Sequence, residues 1–360
     1  MVVVRQTALI LLVVIEAAAL GCGGDPVVRA RVDALVAVET AVGNRQYPVG
    51  EALAREFVTR ADIPLAERCA ALLALGKAID GQLRPEEALD VLATVGRSCA
   101  AVPEASADGL MVVAGQALRR GDLAVAGRVL ERVVTSFPDE IAARKAADEL
   151  RDLRRASGGD EAAIEALRRL YLSVPARGVS PYLLFQAARL IESAPDISQA
   201  ARLRALALYR RIVDVHGRSP QANDAMLAAA RQALELGRTS EAADLLEKLL
   251  SQREWSFLLG SYSLSIYPDA AFLRAEVAVR AGDAGLVVAE WYDLFVGTYP
   301  KDSRAPLARL RAATAAKASG DQAAFVSRLS SLAVDCPKTP AGLWAAATLA
   351  GVDPGPEPAP

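Results

Sequence analysis

The chain has 360 residues, more than one compact helical bundle ordinarily holds, so two domains or an extended repeat are the natural options. Hydrophobic residues make up 52% but aromatic ones only 5%, so Ala, Leu and Val must build the core, and the Ala/Leu/Arg/Glu-rich stretches predict helix nearly throughout. The formal net charge of -2 excludes the global basic field that nucleic-acid binding needs, and no Asn-Gly or Asp-Gly turns join short alternating segments into a sheet.

The chain opens MVVVRQTALILLVVIEAAALGCGGD. Arg5 precedes an unbroken apolar run, Ala8 to Ile15, which Glu16 interrupts. A spanning helix needs roughly 20 apolar residues, so residues 1–21 read as a secretory signal. Ala19-Leu20-Gly21-Cys22 resembles the lipobox of bacterial lipoproteins, which implies a diacylated Cys22 as the new N-terminus. At ~0.8 kcal/mol per buried methylene, two or three acyl chains make membrane attachment effectively permanent. Gly23, in place of the aspartate associated with inner-membrane retention, points to the outer membrane. An ordinary signal peptide cut near Ala19, leaving a soluble periplasmic protein, and an uncleaved anchor are the other readings.

Residues 22–63 are expected to hold the anchor and an irregular helical cap, Val27 to Arg60. Export places Cys69, Cys99 and Cys336 in an oxidising compartment. With a turn around Asp80-Gly81, Cys69 and Cys99 fall near the same end of a helix pair, offset by roughly 9 Å at about 1.5 Å per residue. A bridge needs Cα atoms within about 7 Å, so the chain at Arg97-Ser98 has to fold back for the pair to close. Both outcomes stay open. Cys336 reads as a small buried residue and the single histidine, His216, as a turn residue; no metal site is expected.

From residue 64 one phrase recurs. GDLAVAGRVLERVVTSFP from Gly121 returns as GRTSEAADLLEKLL from Gly237, GDAGLVVAEWYDLFVGTYP from Gly282 and GDQAAFVSRLSSLAVDCP from Gly320. Seven residues before each glycine stands Ala114, Ala230, Ala275 or Ala313; four before it stands Ala117, Ala233, Ala278 or Ala316. Five on come Ala126, Ala242, Val287 and Phe325, and nine on come Leu130, Leu246, Trp291 and Leu329. Pro138 and Pro337 fall seventeen on, Pro300 one later. Small residues let two helices approach, the glycine releases the chain into a turn, the large residue fills the space between hairpins, and the proline ends the second helix. Weaker copies start at Gly81, with Lys77 at the fourth-before position, and at Gly159, where Asp152 stands seven before and the first helix must pack differently.

This pattern resembles the tetratricopeptide repeat, a helix-turn-helix unit of about 34 residues. The resemblance implies an all-α fold, a right-handed α-solenoid of about seven hairpins over residues 64–352 with Pro340 to Val352 as a last capping helix. Residues 353–360, proline-rich, are expected to be disordered. The junction from the tyrosine-bearing helix through Ser219-Pro220 is similar to the repeats of the barrel-assembly lipoprotein and of the Tol–Pal-associated division coordinator.

In that family the first helices line the groove, which implies that Arg231, Glu235, Glu276, Arg280 and Lys317 face it, able to clamp a peptide or simply to be solvated. Nine of the eighteen aromatics fall between Trp255 and Tyr299, Tyr262 among them; they make either a docking surface or a bulkier local core. No GxSxG elbow, Walker loop or HExxH occurs, so neither catalysis nor a cofactor is expected. The expected role is a non-catalytic scaffold for protein or peptide partners, lipid-anchored on the periplasmic face of a bacterial outer membrane and serving envelope assembly or division. The competing role is an accessory of peptidoglycan-processing enzymes.

Overall fold

The computed structural model describes residues 25–251 and 266–358. Among these residues there are sixteen α-helices and no strand, in two compact units that part between Ser180 and Pro181. The first unit holds α1 (Pro26–Gly43), α2 (Tyr47–Val58), α3 (Leu65–Gly81), α4 (Pro85–Ser98), α5 (Pro103–Arg119), α6 (Leu123–Ser136) and α7 (Ile141–Ser173). The second opens with α8 (Ser180–Glu192) and continues through α9 (Gln199–Val215), α10 (Ala222–Glu235), α11 (Thr239–Ser251), α12 (Ile266–Ala281), α13 (Gly285–Thr298), α14 (Ala305–Ala318), α15 (Gln322–Asp335) and α16 (Pro340–Leu349).

From α1 to α7 and from α9 to α16 the helices pack in sequence order as hairpins, the organisation of an α-solenoid. First helices also touch the next first helix: α1 meets α3, α3 meets α5, α5 meets α7, α10 meets α12 and α14 meets α16. Among the described residues the second helices share no comparable contact. A row of side chains from successive repeats therefore lies along the first helices.

The turn explains the recurring phrase. At Gly121 the backbone takes φ 76°, a left-handed conformation that glycine adopts without Cβ strain. Its N–H donates to Leu118 O and the Asp122 N–H donates to Ala117 O, the paired bonds of a Schellman cap. Asp122 then caps the next helix, its carboxylate accepting from the Val125 N–H at 3.0 Å. The same two backbone bonds recur at Gly237, Gly282 and Gly320, so the alanine four before each glycine is the residue whose carbonyl closes the turn. Ala126, Leu130, Ala242, Leu246 and Leu329 have no exposed surface, as the packing role requires.

Two turns follow this pattern without glycine. Leu83 (φ 61°) and Arg45 (φ 60°) hold the left-handed position, with the same pair of backbone bonds. The turn after α3 is therefore centred on Leu83, not on Gly81, and the register moves by two. Gly76 then stands seven before and Ile79 four before; Ala88 and Leu92 stand five and nine on, all four positions buried. The Lys77 mismatch was a mismatch of register. Around Arg45 the same count gives Val38, Ala41, Gly50 and Ala54, also buried, so the segment expected to be an irregular cap is a hairpin written in the same turn.

The move to Leu83 also closes the cysteine pair. Cys69 and Cys99 now lie fourteen and sixteen residues from the turn, an offset of about 3 Å at about 1.5 Å per residue. They form a disulfide with Cα atoms 5.7 Å apart. Cys99 caps the end of α4, and its carbonyl accepts from the Val102 N–H and the Ser106 hydroxyl at the start of α5. The bridge thus joins three helices. Cys336 is a free thiol, half-buried at the end of α15.

At Gly159 the helical run of α7 breaks, with φ 76° and ψ −174°. Asp152 is exposed and the last buried residue before the break is Leu150, so the first helix runs on past its packed part. In the described part of the tail, Gly355 O accepts from Trp344 Nε1–H at 3.1 Å.

Candidate functional site

Three first helices of the second unit carry the charges expected on the groove. Arg231 and Glu235 lie on α10, Glu276 and Arg280 on α12, Lys317 on α14. The structure brings them together in pairs across neighbouring helices. Arg231 Nη2 lies 2.9 Å from Asp269 Oδ2, and Arg280 Nη1 lies 3.1 Å from Glu235 Oε1. Glu276 is bound to Arg311 of α14 and accepts a hydrogen bond from the Tyr292 hydroxyl. Asp269 also holds Arg304 at 2.9 Å, and Arg304 forms a two-pronged pair with Asp302. Lys317 stands apart from these pairs, with Nζ 5.0 Å from the centroid of the Phe325 ring. The face is a ladder of ion pairs, four of whose members, Asp269, Asp302, Arg304 and Arg311, the sequence reading missed. Asp302 and Arg304 precede α14, where no repeat position marks them.

Most rungs are partly solvent-exposed, so each is worth a fraction of a kcal/mol up to about 1 kcal/mol. Arg304 and Arg311 are better shielded and stand against aromatic rings: Arg304 Cζ is 5.1 Å from the Phe272 centroid and Arg311 Cζ 5.8 Å. The hydrogen bonds from Arg304 hold Asp302 below the ordinary aspartate range, and Arg304 in turn is raised, chiefly through its hydrogen bond to Asp302.

The aromatic concentration is core where it is described. Tyr292 and Phe295 are fully buried, Phe272 and Tyr267 nearly so, and Phe272 meets the rings of Tyr292 and Phe295 edge-on at 6.0 and 5.3 Å. The turn at Gly282 holds one residue more than its counterparts, for α13 begins three residues after the glycine and α6, α11 and α15 begin two after. Every later position shifts by one. Val288 and Tyr292 take the buried places expected of Val287 and Trp291, and Pro300 falls late for the same reason. Trp291, displaced to the flank, stacks on Arg274, whose Cζ is 4.2 Å from the ring centroid and whose Nη2 pairs with Glu247 at 2.7 Å. Trp255 and Tyr262 lie outside the described residues, as does Cys22.

A buried tyrosine reaching a carboxylate recurs one hairpin pair earlier. Tyr209 of α9 donates to Glu192 Oε2 at 2.6 Å, and Gln232 Nε2 donates to Glu192 Oε1 at 2.7 Å. Burial pushes both tyrosine hydroxyls far above the ordinary phenol range, with the carboxylate adding to it, so both remain protonated donors.

The first unit carries a shorter ladder. Arg31 pairs with Glu67 at 2.7 Å, Lys77 with Asp108 at 3.2 Å and Arg119 with Asp80 at 2.6 Å, each linking one first helix to the next. Glu39 on α1 is partly buried; burial raises its carboxyl, Lys77 opposes this and Glu104 reinforces it. Among the described residues no group of three His, Cys, Asp or Glu side chains is arranged to hold a metal ion. No described helix is long and apolar enough to cross a membrane.

A tetratricopeptide repeat model matches residues 224–253, which hold most of α10 and all of α11. No curated protein matches the chain. Among solved structures the chain is similar to pilF of Pseudomonas aeruginosa, with 15% identity over 67% of this chain and 96% of that one, at a TM-score of 0.39. It is similar to the C-terminal part of a TPR repeat-containing protein of Cytophaga hutchinsonii, with 11% identity over 76% and 98% and a TM-score of 0.44. A third is the Podosopora anserina kinesin light chain with nearly identical TPR-like repeats, at 15% identity over 55% and 98% and a TM-score of 0.39. At these scores none of the likenesses bears on what the chain binds. It is residues 224–253 that match the tetratricopeptide repeat directly.

Proposed function

We propose that the chain is a non-catalytic scaffold for protein or peptide partners in a bacterial envelope complex, held on the periplasmic face of the outer membrane by a lipid on Cys22. The observation that carries the scaffold reading is the row of first helices, α10, α12 and α14, whose paired side chains form one face drawn from three successive repeats. Two further facts support export. The Cys69–Cys99 disulfide suits an oxidising compartment, and the signal-like residues 1–21 lead to Cys22. Outer-membrane assembly and division are the processes we assign to the complex.

Affinity purification from detergent-solubilised envelopes tests the partner, comparing the native chain with Glu276→Lys combined with Arg280→Glu. Envelope proteins retained by the native chain and lost by the variant support the reading. Retention of peptidoglycan fragments in their place favours the accessory role, and release of soluble fragments from peptidoglycan by the purified chain overturns the non-catalytic one. The intact mass of the mature N-terminus decides the anchor: an unmodified Cys22 removes it.

A further inference from the structure

The last described helix, α16, closes as a first helix does but leads into the proline-rich segment. Gly351 takes the left-handed conformation at φ 72°, its N–H donates to Thr348 O, and the Val352 N–H donates to Ala347 O. These are the bonds that close the hairpin turns at Gly121, Gly237, Gly282 and Gly320. Beyond those turns the chain enters a second helix; beyond this one it enters the proline-rich tail.

Counting back from Gly351 sharpens the difference. Four before it stands Ala347, as in the other repeats, but seven before it stands Trp344. In the hairpins turning at Gly121, Gly237, Gly282, Gly320 and Leu83 that position holds Ala114, Ala230, Ala275, Ala313 or Gly76, small residues that admit the second helix, and at the Arg45 turn it holds Val38, still far smaller than tryptophan. A tryptophan there keeps a helix from approaching closely. An extended chain is narrower, and the tail meets the tryptophan itself. Trp344 Nε1–H donates to Gly355 O at 3.1 Å. Pro354 and Pro358 are half-buried while Pro356 and Glu357 are exposed. Gly355, at φ 70°, bends the segment, and its N–H is taken by Asp353 Oδ1 at 3.0 Å. Prolines bring no N–H that would be stranded against the apolar face, and a proline-rich chain loses little entropy on docking.

We propose that the Trp344 face of α16 is a binding site for proline-rich segments bent at a Pro-Gly step, and that the chain's own tail occupies it in cis. The site is distinct from the charged face of α10, α12 and α14. A tethered tail acts at an effective concentration on the order of millimolar, so a weak contact suffices to keep the site closed against competitors.

The test compares the full chain with a chain ending at Val352, using a synthetic peptide of residues 351–360 and reading the Trp344 indole N–H resonance. Removing the tail should shift that resonance, and millimolar peptide should return it in the shortened chain while leaving the full chain at least tenfold less responsive. Replacing Pro354 and Pro358 by alanine in the peptide, or Trp344→Phe in the shortened chain, should weaken binding at least fivefold. Circular dichroism confirms that the variants stay helical. An indole resonance unmoved by peptide in a folded shortened chain overturns the site, and equal response in the two chains overturns its occupation by the tail.

Discussion

Gly76 and Leu92 compete for one volume across the second hairpin: a Cβ placed on Gly76 would stand 2.8 Å from Leu92 Cδ2. The glycine is thus a packing residue inside α3, where it costs helix propensity in exchange for close approach of α4. Gly76→Val should destabilise the chain by about 1–3 kcal/mol, since the leucine is held on all sides and cannot leave its rotamer freely. Urea denaturation of the native chain and the variant measures it. A change below about 0.5 kcal/mol would show that Leu92 repacks.

Leu83 presents the opposite case. It is 85% exposed and sits at φ 61°, so it contributes little burial and carries left-handed strain. Leu83→Gly should stabilise the first unit by about 0.5–1 kcal/mol, the relief of strain being offset in part by the freer unfolded chain. Gly121→Ala should lose about 1 kcal/mol by the same reasoning reversed. Thermal melts of both variants give the two signs.

Cys69 and Cys99 are separated by 30 residues, and both are fully buried. Closing a loop of that size in the unfolded chain accounts for about 3–4 kcal/mol. The Cys69→Ala, Cys99→Ala double variant should lose about that much. Hydrogen exchange should report the loss first at residues 99–106, where the Cys99 carbonyl anchors the start of α5. Equal protection of that segment in both proteins would refute the link between the bridge and the junction.

Two carboxylates should make stability respond to pH with opposite signs. Asp302 is held below its ordinary value of 3.8, so its contribution is complete above that value and fades as the pH falls through the lower folded one. Asp302→Asn should therefore cost stability at neutral pH and nothing in strong acid. Glu39 is raised above 4.5, so the folded chain binds its proton more tightly than the unfolded chain does. Stability then falls as the pH rises through that window, and Glu39→Gln should be the more stable protein at neutral pH, with the gap vanishing below pH 4.5. Denaturation at acid and neutral pH separates the two.

The hairpins were legible where glycine marks the turn, because only that residue advertises a left-handed position in one-letter code. Leu83 and Arg45 hold the same conformation without any such mark, which hid the first hairpin and displaced the second by two residues. At Gly282 the mark was present, but one added residue before α13 moved Tyr292 into the place expected of Trp291. That α10 and α12 carry the charged residues Arg231, Glu235, Glu276 and Arg280 was legible from the repeat register. Their pairing was not, since Arg280 reaching Glu235 depends on how one helix is offset from the next. Trp344 was legible as a letter and silent as a site, because its meaning comes from the tail residue it meets, Gly355.

The ladder across α10, α12 and α14 has a kinetic consequence. Acid answers base at each rung, so the face projects little field beyond a Debye length of about 8 Å. A partner would arrive without electrostatic steering, at a rate that changes little with salt. Discrimination would come after encounter, when an incoming carboxylate or guanidinium exchanges places with Glu235 or Arg280 and the residue it displaces must find water or a new mate.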